Sequence, residues 1–195
     1  MIKVGITGGI GSGKSILSHF FSLINIPVFE ADQEAKRIIN SSSIIRSKLK
    51  FHFGEDIYLP DNTIDRKKFA DIIFNSPSSL EKVNSIVHPE VRNEFQEWTK
   101  QQDAEYVVHE AAILFESGFY KMMDFMILVT APTDVRIQRV MHRDGVSEEK
   151  VMERMNKQWD DKEKIKLSNL VLTNDNSELI IPKLIELDKN LRRHG

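Results

Sequence analysis

The chain has 195 residues, 41% of them hydrophobic and 29% charged, with a formal net charge of −2. That length and balance suit one well-cored folded protein, exclude a disordered chain, and argue against non-specific nucleic-acid binding as its main business while leaving local basic clusters open. Cysteine is absent, which excludes disulfides, thiolate catalysis and cysteine-ligated zinc, and no run approaches the roughly 20 apolar residues that span a bilayer.

The first segment, 2–7 (IKVGIT), reads as a short buried strand, followed by a glycine-rich loop and a helix from about Lys14 to Leu23. Pro27 opens a second strand, PVFEA, and Asp32 starts the next helix. From there to about residue 102 the pattern is helical: Thr63 is the expected cap of DRKKFADIIF, Pro77 opens LEKVNSIV, and Pro89 suits the first turn of a third helix. Three more strand-like runs follow, 105–111, 125–131 and 169–174, separated by helical segments at 133–143, roughly 147–166 and 177–192. Strands alternating with helices predict an α/β fold with a parallel sheet covered on both faces. The stretches 33–102 and 142–166 read as additions to that sheet. Phe69, Phe74, Met122 and Met123 are expected in the core. The six histidines are scattered without the i, i+4 spacing of a helical metal site, and the N-terminus lacks the order of a signal peptide, so a cytoplasmic protein is expected.

Gly8-Gly9-Ile10-Gly11-Ser12-Gly13-Lys14-Ser15 satisfies G-x-x-x-x-G-K-[ST] in full, between a predicted strand and a predicted helix. In that context the glycines let successive N–H groups converge on one centre, and the helix start adds partial positive charge. Lys14 would reach the β- and γ-phosphates of a nucleoside triphosphate, and the Ser15 hydroxyl would ligate Mg²⁺. The chain lacks the N-K-x-D segment of guanine-specific switches; TNDN at 173–176 has no lysine. A small-molecule kinase needs in addition a base, an acceptor pocket and cations for the transferring group.

For the base, Asp32 stands just past the second predicted strand, on the carboxyl edge where ligands bind in doubly wound sheets. It can accept a hydroxyl proton, help hold Mg²⁺ through water, or simply cap the helix beginning at Gln33. Arg136, Arg139 and Arg143 recur at i, i+3, i+7, within roughly a 60° arc of one helix face. Arg154 and Gln158 share a face further on. Such a stripe suits a lid over a polyphosphate, since a guanidinium binds phosphate oxygens in pairs, and it equally suits a solvated charged face. Glu110, at the end of the third core strand, either orients metal-bound water or is an ordinary strand-end residue. Lys36, Arg37, His88 and Arg92 can contact an anionic acceptor or serve solubility and packing.

TGGIGSGKS at 7–15 followed by EAD at 30–32 resembles the opening of the dephospho-coenzyme A kinases. The resemblance continues through HP at 88–89, ILFESGFY at 113–120, LVTAP…QRVMHRD at 128–144, Gln158 and the TN of 173–174, and so spans nearly the whole chain. It implies a P-loop kinase with a five-stranded parallel core, a helical acceptor domain and a lid. The implied domains are a nucleotide-binding core (1–32, 103–141 and 167–195), the acceptor domain (33–102) and the lid (142–166). The implied reaction is ATP-dependent phosphorylation of the ribose 3′-hydroxyl of dephospho-coenzyme A, the last step of coenzyme A synthesis, with Mg²⁺ accompanying ATP. By the same resemblance Asp32 is the base, Gly11 to Ser15 form the ATP loop, Arg139 and Arg143 are lid arginines, and Asn174 lies near the adenine. His88 and Arg92 fall in the acceptor domain.

Glu30 stands where the family usually has Asp, Lys36 where arginine is common, Ala112-Ile113 where Pro-Leu is usual, and Ile16 where Thr is frequent; none removes a part the chemistry needs. The expected partners are two small molecules, with no nucleic acid or membrane, and the expected state is a monomer. A kinase of another small acceptor, such as a nucleoside monophosphate, and a nucleotide-binding switch are the alternatives.

Overall fold

In the computed structural model, residues 1–175 and 177–194 are described, the side chains at 74, 75 and 194 excepted, so Phe74 lies outside the described side chains. The chain divides into two compact units, 1–30 with 102–195, and 31–101.

The first unit is a five-stranded parallel sheet: β1 (Ile2–Thr7), β2 (Val28–Glu30), β3 (Tyr106–Glu110), β4 (Phe125–Thr130) and β5 (Leu170–Thr173), in the order β2-β3-β1-β4-β5. The strands are continuous apolar runs because both faces are covered: Val4, Ile6, Val108, Ile127 and Val129 are all buried. On one face they pack against α1 (Lys14–Leu23) and α9 (Ile180–His194) through Leu17, Phe20, Phe21, Leu184, Leu187 and Leu191. α6 (Thr133–Asp144), α7 (Glu148–Met155) and α8 (Asp161–Lys166) complete the unit. Burying each such Leu or Phe removes enough apolar surface to contribute about 1.5–3 kcal/mol. Register places Ile6 beside Glu110 and Thr7 beside Leu128, with Glu30 beside Glu110 and Thr130 beside Thr173. All five carboxyl ends therefore share one edge. β1 is central, with the connection to β2 leaving to one side and β4 and β5 added on the other, which is the switch point where such sheets bind ligands.

The second unit is helical: α2 (Ala31–Ser41), α3 (Ser43–Phe53), α4 (Arg66–Asn75) and α5 (Pro77–Lys100). Three local expectations are corrected here. α4 is capped by Asp65, whose carboxylate accepts from Lys67 N and Lys68 N at 3.1 Å, whereas Thr63 turns its hydroxyl to Asp61 at 2.6 Å. Aspartate is the stronger cap, and the Asp61 turn already occupies the threonine. Pro89 starts no helix; it lies inside α5, which runs unbroken for 24 residues. Val83, Ile86, Val87, Val91, Phe95 and Thr99 form one buried stripe through it, and that burial outweighs the roughly 3 kcal/mol an interior proline costs. α2 begins at Ala31, so Asp32 sits in its first turn rather than at the cap of a helix starting at Gln33, with its charge favourably placed against the helix dipole.

In the first unit, the helical run expected at 147–166 breaks between α7 and α8, where Asp160 caps α8 by accepting from Lys162 N at 3.3 Å. The final helix starts at Ile180, three residues later than expected. Phe69, Met122 and Met123 are half-buried rather than central. Among the described residues, no helix is long and apolar enough to cross a membrane.

Candidate active site

The site is built on the glycine loop at the carboxyl end of β1. Every carbonyl from Gly8 to Gly13 accepts a hydrogen bond from the protein. Gly8 O accepts from Lys14 Nζ at 3.0 Å, Gly9 O from Ser12 N at 3.1 Å, and Ile10 O from Arg136 Nε at 2.9 Å. Gly11 O accepts from Arg139 Nη1 at 3.5 Å, Ser12 O from Asn174 Nδ2 at 2.9 Å, and Gly13 O from Ile16 N at 3.0 Å. In a planar trans peptide the next N–H points opposite to the carbonyl. With Ile10, Ser12 and Gly13 carbonyls held outward, the N–H groups of Gly11, Gly13 and Lys14 face the loop's hollow. Those donors and the start of α1 make a centre for a polyanion.

Two of the loop glycines lie directly against supporting side chains. A Cβ on Gly9 would collide with the Arg136 guanidinium, and one on Gly13, whose φ is +95°, would collide with the Asn174 amide. The side chains that support the loop thus lie directly against its backbone. Lys14 is half-buried, and Ser15, in the first turn of α1, is exposed.

The arginine stripe separates along α6. Arg136 is buried and spans from Ile10 O to Asp161 Oδ2, the latter at 3.2 Å; burial lowers its affinity for the proton and the Asp161 carboxylate offsets part of that. Arg139, one turn on, is half-buried and donates to Asn174 O at 2.9 Å. Arg143 is exposed in the last turn and donates to Asp144 at 2.7 and 3.2 Å, a carboxylate also held by Arg154 at 2.9 Å. These contacts keep Asp144 ionised well below the usual carboxylate range. The structure therefore brings Gly8, Gly9, Gly11, Ser12, Gly13, Lys14, Ser15, Arg139 and Asn174 together, adds Arg136, and leaves Arg143 a turn away in a surface ion cluster. Asn174 is buried: its amide nitrogen holds Ser12 and its backbone N–H donates to Thr130 O at 2.8 Å.

The sequence gives no sign of the contacts of Glu116, Lys164 and Asp161. Glu116 Oε1 accepts from Trp159 N at 2.9 Å and pairs with the fully buried Lys164 Nζ at 2.9 Å. No local pattern marks such partners, which come from segments 25 to 48 residues apart. Glu110 is half-buried at the end of β3.

In the helical unit, Asp32 is exposed and Lys36 exposed a turn later on α2. Arg37 pairs with Glu34 at 2.6 Å and with Glu94. His88 and Arg92 are half-buried neighbours on α5, and burial, helped by the Arg92 charge, pushes the His88 imidazole below its ordinary value.

Residues 2–179 match the family model described as dephospho-CoA kinase. The chain is 36% identical to the dephospho-CoA kinase of Bacteroides fragilis over 95% of its length and 91% of that protein's. It is 37% identical to that of Porphyromonas gingivalis, covering 98% and 95% of the two chains. Among solved structures it is similar to a Thermus thermophilus protein (TM-score 0.83, 33% identity, 99% and 97% covered). The dephospho-CoA kinase of Campylobacter jejuni, at 24% identity, shares the fold (TM-score 0.71, 98% of each chain covered).

Proposed function

The chain belongs to the dephospho-CoA kinase family, and on that premise we propose that it transfers the γ-phosphoryl group of ATP to the ribose 3′-hydroxyl of dephospho-coenzyme A, giving coenzyme A and ADP. The observation that carries this reading is that the Ile10, Ser12 and Gly13 carbonyls are held by Arg136, Asn174 and Ile16, which leaves a hollow of N–H donors at the start of α1.

Each residue has a chemical task in this reading. The N–H groups of Gly11, Gly13 and Lys14 hold the phosphate chain, and Gly8, Gly9 and Ser12 shape the loop that presents them. The Lys14 ammonium, now on Gly8 O, turns to the β- and γ-phosphates. Arg139 adds positive charge beside the loop, and Arg143 can exchange Asp144 for a phosphate oxygen. Asn174 supports Ser12 and Gly13 from beneath, on the side where the nucleoside is expected. Ser15 offers a hard hydroxyl oxygen at the first turn of α1, a donor that fits magnesium, and Asp32, an exposed carboxylate on α2, is a further candidate donor, through water. Magnesium held there would supply positive charge to the phosphate oxygens.

Asp32 follows β2 by two residues and is exposed, and it is the proposed base for the 3′-hydroxyl. Lys36, His88 and Arg92 supply cationic and neutral donors for the anionic acceptor. Both substrates are small, so a monomer in the cytoplasm meets the needs of the reaction.

An ADP-release assay with Mg·ATP tests the reading, comparing dephospho-coenzyme A, AMP, CMP and no acceptor. Stimulation by dephospho-coenzyme A alone, with product phosphorylated at the 3′ position, is expected. Stimulation by a nucleotide alone would overturn the acceptor, and Asp32→Asn turning over at the wild-type rate would overturn the base, whose loss should lower kcat about 10²-fold or more.

A further inference from the structure

Ile10 is held through the peptide groups on both sides of its Cα, the Gly9–Ile10 group by its N–H and the Ile10–Gly11 group by its carbonyl. Its N–H donates to Gln158 Oε1 at 2.9 Å, and its carbonyl accepts from Arg136 Nε at 2.9 Å. Neither partner is loose. The other end of the Gln158 amide, Nε2, lies 3.5 Å from Ala112 O, a carbonyl that also accepts from the Thr7 hydroxyl at 3.4 Å. Oxygen toward Ile10 and nitrogen toward Ala112 is the one amide orientation that matches a donor and an acceptor at once. The other end of Arg136 is tied to Asp161 at 3.2 Å.

Gln158 and Asp161 belong to the segment returning from α7 to α8, and that segment is fastened again by Glu116. The Glu116 carboxylate accepts from Trp159 N and pairs with the buried Lys164 ammonium. Residues 158–164 are therefore anchored next to the loop at its Ile10 corner.

In the ATP-kinase reading that corner borders the group to be transferred. Lys14, the cation that serves the β- and γ-phosphates, reaches back across the loop to Gly8 O at 3.0 Å. The β-phosphate belongs with the helix start at 13–15, so the 8–11 side flanks the γ-phosphoryl.

We propose that Gln158 and Arg136 are positioning residues for phosphoryl transfer, which fix the two peptide groups flanking Ile10 and with them the γ-side wall of the loop. This inference rests on the ATP-kinase reading above. It assigns Arg136 a different task from a lid cation: the guanidinium is spent on loop backbone and Asp161, and it acts through the loop. Misplacement of a reacting group by about 1 Å can lower a rate about 10²-fold without changing what holds the rest of the ligand.

The test compares full-length wild type with Gln158→Ala, Gln158→Glu and Arg136→Lys. It reads kcat, both KM values, the Kd of ADP and of a non-hydrolysable ATP analogue, and the melting temperature. Gln158→Ala is expected to lower kcat roughly 10- to 100-fold and weaken the ATP analogue several-fold. ADP affinity should stay within about 2-fold, because the β-phosphate is held by residues 13–15. Gln158→Glu, which keeps an acceptor for Ile10 N–H, should recover part of the loss. Arg136→Lys, which cannot fork between Ile10 O and Asp161, should show the same split between ATP analogue and ADP.

Equal weakening of ADP and ATP analogue in folded variants, or an unchanged kcat, overturns the proposal. Should Gln158→Ala lose its melting transition, Arg136→Lys carries the same comparison. A wild-type protein that fails to phosphorylate dephospho-coenzyme A would instead overturn the reading beneath it.

Discussion

Replacing His109 with phenylalanine isolates one contribution to the acid sensitivity of the sheet unit. His109 is 1% exposed on β3, with its ring 5.3 Å from that of Phe29 and 5.0 Å from that of Phe119. Burial among these rings lowers its pKa from the ordinary 6.5 to about 3, its backbone hydrogen bond opposing only in part. The folded state thus holds a neutral imidazole where the unfolded chain binds a proton. Between those two values stability falls as pH falls, with a slope of about 1.36 kcal/mol per unit for one group. From pH 7.5 to pH 5 the unfolded chain gains nearly one proton and the folded unit almost none, a loss of about 2 kcal/mol. For a protein of this size that is about 4–8 °C in Tm.

His109→Phe keeps an aromatic ring between its neighbours, and its slightly larger volume shifts the absolute stability. The slope is what matters. Denaturant titrations at pH 5, 6 and 7.5 should show wild type losing about 2 kcal/mol more than the variant over that range. Equal slopes for the two proteins would refute the reasoning.

Two further outcomes test features of the packing. Lys164→Met leaves the Glu116 carboxylate, 13% exposed, without its buried ammonium, and should cost about 3–5 kcal/mol by chemical denaturation. Lys164→Met with Glu116→Leu should recover most of that, and failure to recover would mean that the pair is not the source of the loss. In the helical unit, Asp65→Ala should destabilise by about 1 kcal/mol while Thr63→Ala changes little, which a comparison of urea midpoints decides.

The sheet was legible because its strands are short apolar runs bounded by glycine, proline and charge, and because the phosphate loop sits where one of them ends. That motif is local: eight consecutive residues carry the whole signal. The arginine stripe was legible only as a periodicity. Spacing puts Arg136, Arg139 and Arg143 on one face of α6, but how far each residue lies from the loop decides its use. Arg136 meets Ile10, Arg139 meets Gly11 and Asn174, and Arg143 has passed beyond them to Asp144. Pro89 misled because the local rule for proline is blind to the buried stripe on either side of it. Asp65 was hidden by Thr63, a plausible cap whose hydroxyl the Asp61 turn had already taken. The partners Glu116, Asp161 and Lys164 have no sequence signature, since each becomes a neighbour of the loop only when distant segments close.

The position of β1 at the centre of the sheet has a consequence for synthesis. Its two neighbours are β3, beginning at Tyr106, and β4, beginning at Phe125. The phosphate loop leaves the ribosome before either, yet its strand gains its second partner only after more than a hundred further residues. At about 5–20 residues per second, that is on the order of ten seconds. During this interval the contiguous helical stretch 31–101 is completed, while Ile2–Thr7 remains an apolar strand lacking at least one of its two neighbours. The segment that comes to bind nucleotide is thus, in the growing chain, the one most in need of protection from strand-to-strand aggregation.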